Sequence, residues 1–336
     1  FFGGDRSIAA KPIMSASSSS STLALQQPSS GSPSASPVHS ALRLNRIEDA
    51  FTLGAELGRG TFGAVRVGIS RASGRKSAIK QIQKSSLSTD ILHKLELEIV
   101  ILKRASHPNI VNLEAVFQTQ DSVYLVAEVA EGGNLFNRMK AVKTYSELEA
   151  SALVKNVCCA IEYLHKMNIV HRDIKPENIL LVSPTDNIDV KLADFGLSCY
   201  FSGAASLLTR VGTPLYVAPE ILSNKGYGPA VDMWAVGVLT FCLLSGKPPF
   251  PCQDLAVLYQ YIMQAKFSFD DPVWLKISTE AKEFIKSLLK VEPSLRLSAP
   301  RAFRHPWVQQ KHTGLAPGNM NVDQAFGKYI DLLASH

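Results

Sequence analysis

The sequence predicts an α+β chain of two lobes: a small lobe with a five-stranded antiparallel sheet and one main helix, and a larger, mostly α-helical lobe. Three observations predict it. Residues 51–82 are short β-rich runs parted by Gly or Ser-Gly turns, and beyond Gly132-Gly133 the apolar spacing becomes helical. Between these halves of the pattern and the helical end lies a charged run, His171-Arg172-Asp173-Ile174-Lys175-Pro176-Glu177-Asn178. It leads through two apolar triplets, Ile179-Leu180-Leu181 and Val190-Lys191-Leu192, to Asp194-Phe195-Gly196. The triplets read as two short strands presenting the charges between them.

The bulk numbers exclude several classes. A chain of 336 residues with 46% hydrophobic content is long enough for two lobes with cores of their own. Its net charge of +6, from 35 basic and 29 acidic residues, implies no nucleic-acid footprint. Five cysteines, Cys158, Cys159, Cys199, Cys242 and Cys252, are odd in number and lack ligand spacing with histidine. That argues against a disulfide framework or a zinc site and for a reducing, intracellular, cytoplasmic setting. The longest apolar stretch, 233–244, is too short to span a bilayer and reads as a buried helix, so no membrane segment is expected. Beginning at Phe1, the chain reads as a fragment or processed product whose upstream targeting signal, if present, lies elsewhere.

Along the chain, residues 1–50 are the first unit. Residues 15–40 are dominated by Ser, Ala and Pro, and with so few large apolar side chains they cannot offset the entropy of ordering, so disorder is expected. Asp5 set against Arg6, Lys11, Arg43 and Arg46 would suit a transit peptide as well as a plain flexible linker. Runs 51–57, 64–70 and 75–82 predict an antiparallel meander. A helix capped by Ser88 or Thr89 follows, with Ile91, Leu92, Leu95, Ile99 and Leu102 at helical spacing up to Arg104. Runs 111–117 and 123–129 complete the sheet, closing a small lobe and linker over 51–131. In the large lobe, 132–308, Ser146-Glu147-Leu148-Glu149 is a capping box that opens a helix with an apolar stripe of Leu148, Ala152, Val157, Ile161 and Leu164. Further helices are predicted over 232–245, 255–264 and 279–289. In the tail, 309–336, Val322, Phe326, Tyr329, Ile330 and Leu333 have helical spacing that suits packing on the large lobe. A calmodulin target would be more basic than Lys328 makes it.

The chemistry begins in the glycine run Leu57-Gly58-Arg59-Gly60-Thr61-Phe62-Gly63-Ala64-Val65. Glycines let backbone N–H groups approach phosphate oxygens closely, although the same spacing serves dinucleotide folds and plain turns. A dinucleotide site needs a helix directly afterwards, whereas 64–70 reads as a strand, which favours a hairpin lid over phosphates. Lys80 ends an apolar strand and is either a snorkelling surface residue or a partner for a buried carboxylate. Glu98 lies within roughly 60° of the Ile91, Leu95 and Leu102 stripe on a helical wheel, while Glu96 points further away. An unpaired carboxylate there is costly, so a Lys80–Glu98 ion pair is expected.

With these motifs the stretch 51–308 resembles a eukaryotic protein kinase catalytic domain of the serine/threonine type, and the implied fold is the bilobal kinase fold with an ATP cleft between lobes. The resemblance implies that Leu57, Gly58, Gly60 and Gly63 cover the nucleotide, that Lys80, held by Glu98, binds its α- and β-phosphates, and that Val65, Ala78 and Leu180 sandwich adenine. The Glu128 carbonyl and Ala130 N–H would read the adenine edge. Asp173 would accept the substrate hydroxyl's proton, Lys175 would stabilise the transferring phosphoryl group, and Asn178 and Asp194 would hold Mg²⁺. Residues 213–220, from Thr213 to the Ala218-Pro219-Glu220 end, resemble a substrate-docking segment and imply protein substrates. Lys175 with Gly212-Thr213-Pro214 matches the serine/threonine branch. Gly132-Gly133-Asn134-Leu135-Phe136 and the run 243–250 resemble the calcium/calmodulin-dependent kinase group. Arg296 would pair with Glu220, and Asp232 would brace the loop around Asp173.

Three positions depart from the family pattern. Asn134 stands where many relatives have Glu, which weakens the expectation of an upstream-arginine preference, with Glu177 able to supply part of it. Ala127 stands at the usually bulky gatekeeper position, so the back of the nucleotide pocket is either open or refilled by neighbours. Arg172 implies a switch by activation-loop phosphorylation at Thr209, or secondarily Ser206, through an upstream activating kinase, but Cys199 stands where some relatives have a second basic partner. Lys94 or His93 would then have to assist. A pseudokinase scaffold and a small-molecule kinase are the rival readings; the occupied catalytic positions oppose the first and the docking segment the second.

Overall fold

The computed structural model describes residues 46–60, 63–141, 145–201, 207, 212–223, 226–252 and 254–310. A short helix, α1 (Ile47–Ala50), leads into β1 (Phe51–Gly60), β2 (Gly63–Ser70), β3 (Lys76–Gln83), helix α2 (Thr89–Arg104), β4 (Leu113–Gln118) and β5 (Ser122–Ala127). These strands form one antiparallel sheet, but in the order β1-β2-β3-β5-β4. The meander therefore stops at β3, which pairs with β5, and β4 becomes an edge strand because α2 carries the chain past it before the hairpin returns. Side chains alternate across the pleat, so each face has its own core. The inner face buries Ile82, Val116, Val123 and Leu125 against Leu95 and Ile99 of α2. Outside, Ile79, Phe117, Tyr124 and Val126 are capped by Ile47. Ser88 is the α2 cap, its side chain accepting from the Ile91 N–H.

The larger lobe contains α3 (Leu135–Ala141), α4 (Glu147–Lys166), α5 (Pro219–Leu222), α6 (Ala230–Ser245), α7 (Leu255–Met263), α8 (Thr279–Leu288), α9 (Ala299–Phe303) and α10 (Pro306–Gln309). Two small β-pairs are formed by β6 (Ile169–Val170), β7 (Ile179–Leu181), β8 (Val190–Leu192) and β9 (Cys199–Tyr200): β6 pairs with β9, and β7 with β8. The expected triplet strands thus form the β7–β8 hairpin. The Ser146 capping box on α4 is complete, with Ser146 Oγ accepting from the Glu149 N–H at 3.1 Å and Glu149 accepting from the Ser146 N–H at 2.9 Å. The stripe on α4 differs from the expected one: Leu148 and Ala152 are half-buried, while Leu153, Val154, Val157, Cys158, Ile161 and Leu164 are buried. A helix packed on several sides at once hides more than one stripe, and α4 meets α6, α9 and β8.

Helix α6 is buried from Val231 through Ser245 and ends at Gly246, whose φ of 69° is the left-handed conformation glycine adopts without strain. A methyl group on Gly237 would come within 2.9 Å of Leu288 and Leu289, so this glycine sets how closely α8 and its end approach. Arg296 docks beneath α5 and α6. Its guanidinium donates to Glu220 at 2.7 and 3.0 Å, to the Ala230 carbonyl at 2.6 Å and to the Lys290 carbonyl at 2.9 Å, and lies 5.2 Å over the Trp234 ring. Among the described residues no helix is long and apolar enough to cross a membrane, and all five cysteines are free thiols. The expectations for residues 1–45, Ser206, Thr209 and the helix in the tail lie outside the described residues.

Candidate active site

In the small lobe the glycine run spans the β1–β2 hairpin, with Gly58 opposite Val65 and Gly60 opposite Gly63; Thr61 and Phe62 at its tip lie outside the described residues. Gly63 must be glycine, because a Cβ there would fall 1.9 Å from the Gln81 carbonyl oxygen. Leu57 is exposed. Register then brings the cleft-facing set together: Val65 lies opposite Lys80, and Ala78 opposite Ala127. Opposed residues share a face. Val65, Ala78, Lys80 and Ala127 thus share the inner face, and all are half-buried.

Lys80 Nζ lies 3.3 Å from Glu98 Oε1, with the two side chains 14% and 3% exposed. Burial pushes the Glu98 carboxyl above its ordinary value, the Lys80 charge pulls it down, and Asp194 pushes it up again. Asp194 is therefore close enough for its charge to be felt at this pair. Glu96 is exposed and lies 3.6 Å from His93, which distinguishes the two carboxylates as expected. His93 and Lys94 are both exposed on α2.

The linker leaves β5 at Glu128, whose side chain accepts from the Asn112 N–H at 2.7 Å and from Lys191 Nζ at 2.9 Å. Lys191 also donates to the Pro108 carbonyl at 2.8 Å. Sequence reasoning missed this pair, since nothing local links a linker Glu to a Lys on β8. Ala130 is half-buried in the same linker, followed by Gly132, where a Cβ would lie 2.4 Å from the Ser183 carbonyl. Leu180 on β7 bridges to Asn134. Asn134 accepts through its side chain from the Asn137 N–H at 2.8 Å and so caps α3.

The charged run sits between β6 and β7. His171 is fully buried, stacked edge-on against Phe195 at 4.9 Å, and burial lowers its basicity. Asp232 at the start of α6 holds the loop's backbone, accepting from the His171 N–H at 3.0 Å, the Arg172 N–H at 2.8 Å and His165 Nε2 at 2.8 Å. Burial alone would raise the Asp232 carboxyl, but the hydrogen bonds and charge of His165, with His171, hold it below the ordinary range. This bracing fixes Arg172 at φ 70°, a conformation a non-glycine residue keeps only when its surroundings impose it.

Asp173 then projects into the cleft, 8% exposed. Its Oδ2 lies 2.9 Å from Lys175 Nζ and accepts from Asn178 Nδ2 at 2.8 Å, and its Oδ1 accepts from Thr213 Oγ1 at 3.2 Å. Lys175 also donates to Thr213 Oγ1 at 2.8 Å, joining the docking segment to the loop. Glu177 beside them is half-buried, with one buried carboxylate oxygen lacking a hydrogen bond among the described residues, and burial raises its carboxyl. Asp194, at φ 60°, accepts from the Gly196 N–H at 3.3 Å. The arrangement puts a positioned carboxylate, a nearby ammonium and two further oxygen donors in one place. That suits phosphoryl transfer, where alignment and charge neutralisation matter more than covalent chemistry.

Residues 51–308 match the family described as protein kinase domain. The chain is 43% identical over 270 residues to myosin light chain kinase A of Dictyostelium discoideum, covering 80% of this chain and 92% of that protein. It is 40% identical over 289 residues to calcium/calmodulin-dependent protein kinase type 1 of Macrobrachium nipponense, covering 86% and 82% respectively. The type I enzyme of Schizosaccharomyces pombe is 40% identical over 280 residues, covering 82% of this chain and 83% of its own length.

Proposed function

The chain belongs to the protein kinase family and is a protein serine/threonine kinase similar to the calcium/calmodulin-dependent kinase group, and from that premise we propose how its residues divide the transfer of the ATP γ-phosphoryl group to a protein hydroxyl. Asp173 orients the Ser or Thr hydroxyl and takes its proton. The observation that carries this is the set of contacts from Lys175, Asn178 and Thr213, which leaves the carboxylate one orientation. Lys175 stabilises the transferring phosphoryl group, and Lys80, aligned by Glu98, binds the α- and β-phosphates beneath the Gly58-Gly60-Gly63 hairpin, with Leu57 at its edge. Val65, Ala78 and Leu180 enclose adenine, whose edge meets the Glu128 carbonyl and Ala130 N–H.

Asn178 and Asp194 fit Mg²⁺. Both are hard oxygen donors, and because the Asn178 amide nitrogen is engaged with Asp173, its carbonyl oxygen is the group left for a cation. An ion held by these two groups would complete its shell with phosphate oxygens and water. Bound there, Mg²⁺ neutralises charge on the phosphates.

Thr213 joins the docking segment to Asp173, and Glu177 offers a carboxylate to a basic side chain of the substrate. Asn134 contributes little to that preference, since its oxygen caps α3. For regulation, Arg172 is the group that would receive a phosphate on Thr209 or Ser206, delivered by an upstream kinase. We assign no calmodulin site to the tail, where Lys328 is the cation within the apolar stripe. The chain functions inside the cell, in the cytoplasm.

Incubating the purified chain with labelled ATP, magnesium and a degenerate peptide library is expected to label Ser and Thr peptides. Turnover of a metabolite with no peptide labelled would overturn the proposal.

Ala127 faces Ala78 across the β3–β5 ladder, so two small side chains meet where the pocket backs onto the sheet. Ala127→Met is expected to weaken bulky ATP-competitive inhibitors by about tenfold or more while changing the ATP KM little, as roughly 1.4 kcal/mol of contact is lost. An unchanged inhibition constant would sink the open-pocket reading.

A further inference from the structure

Arg172 donates through Nη1 to the Tyr227 hydroxyl at 3.2 Å and through Nε to the Leu197 carbonyl. Both partners are permanent parts of the chain. Tyr227 is only 4% exposed, and its backbone exchanges both hydrogen bonds with Leu207 in the activation segment, Leu207 N–H to Tyr227 O at 3.0 Å and Tyr227 N–H to Leu207 O at 3.1 Å. Leu207 is half-buried against the large-lobe core. Next along, Gly228 lies under the Phe201 ring, where a Cβ would approach to 3.2 Å, and Phe201 N–H donates to the Asn168 carbonyl at 2.7 Å.

Among the described residues, those interacting with Arg172 include the Leu197 carbonyl, the Tyr227 hydroxyl, the Cys199 thiol, whose acidity responds to the Arg172 charge, and the Asp232 carboxylate, which takes the Arg172 backbone N–H. Burial raises the Tyr227 phenol, and Arg172 opposes this without reversing it, so the hydroxyl stays protonated and can also accept from the guanidinium.

We infer that Tyr227 is a positioning residue: its hydroxyl holds Arg172 while its backbone holds Leu207, tying the catalytic loop to the activation segment by a bond that needs no phosphate. This rests on the proposed role of Arg172 and refines it. A phosphate on Thr209 or Ser206 must compete for a guanidinium already engaged at two nitrogens. Loop phosphorylation therefore modulates this kinase weakly, and removing one oxygen from Tyr227 makes it strongly phosphate-dependent.

Tyr227→Phe keeps the ring and removes only that oxygen. The test compares wild-type and Tyr227→Phe chains, each prepared free of phosphate and each phosphorylated at Thr209. Unphosphorylated Tyr227→Phe is expected to lose about tenfold in kcat, the order lost with a hydrogen bond to a charged group, while the ATP KM stays unchanged. Phosphorylation at Thr209 is expected to restore most of that loss, yet to change the wild type by less than about twofold, since the same Arg172 receives the phosphate. Equal kcat for the two unphosphorylated chains, or a wild type raised about tenfold or more by the phosphate, would overturn the inference. A second readout does not depend on activity: amide exchange at Leu207 and Tyr227 is expected to be about tenfold faster in unphosphorylated Tyr227→Phe. Equal exchange overturns the inference even if no peptide is phosphorylated, whereas a wild type inactive on every peptide in both states, with exchange altered as expected, faults the proposed activity instead.

Discussion

Asp173→Asn is expected to lower kcat for peptide phosphorylation by about 10²–10⁴-fold, the range for losing a positioned general base. Asn is nearly isosteric and can still accept from a substrate hydroxyl, but it cannot take the proton. It also turns one acceptor into a donor against Lys175 and Asn178, both of which already donate to Asp173. The ATP KM should barely move, because the proposed nucleotide contacts lie on β1–β3 and the linker. Initial rates at saturating ATP with a peptide from the library measure the effect. A loss smaller than about fivefold would remove Asp173 from the role of base and leave it a positioning group.

Arg296→Met is expected to destabilise the chain by about 3–5 kcal/mol, because it leaves the Glu220 carboxylate buried without its partner. The Ala230 and Lys290 carbonyls lose a donor in the same change. At roughly 2–4 °C per kcal/mol for a folded region of this size, the melting temperature should fall by about 10 °C. Replacing both partners, Arg296→Met with Glu220→Leu, should recover a large part of that loss, since the unpaired buried charge is what destabilises most. Thermal unfolding followed by circular dichroism decides it: a single variant melting within about 2 °C of the wild type would show that the pair contributes little.

The sequence carried the parts of this molecule that rest on local spacing. Strand and helix periods placed the five strands, a cap at Ser88 or Thr89, the Ser146 cap and the β7–β8 hairpin, because those features are decided within a few residues. Glu98 could be told from Glu96 for the same reason: a helical wheel separates two residues on one element. Sheet order was less legible. That β5 lies between β3 and β4 follows from how α2 packs on the inner face, which no single run of residues encodes. The displaced stripe on α4 has a similar cause, since its neighbours β8, α6 and α9 come later in the chain. In the candidate site, Asp173, Lys175, Asn178 and Asp194 were singled out by resemblance, but Tyr227 and the Glu128–Lys191 pair were not. Their partners lie 55 and 63 residues away, and neither a tyrosine before a glycine nor a lysine on a short strand signals anything by itself.

Helix α6 has a consequence for how the chain is made. It emerges from the ribosome after α4, which can cover one side of it, but before α8, whose Leu288 closes over Gly237. Arg296, the partner for Glu220 just upstream of α6, comes later still. Throughout that interval a helix apolar on every side has only part of its cover, the kind of surface that chaperones hold and nascent chains aggregate through. A chain cut between Ser245 and Leu288 would carry α6 without the cover that α8 gives it.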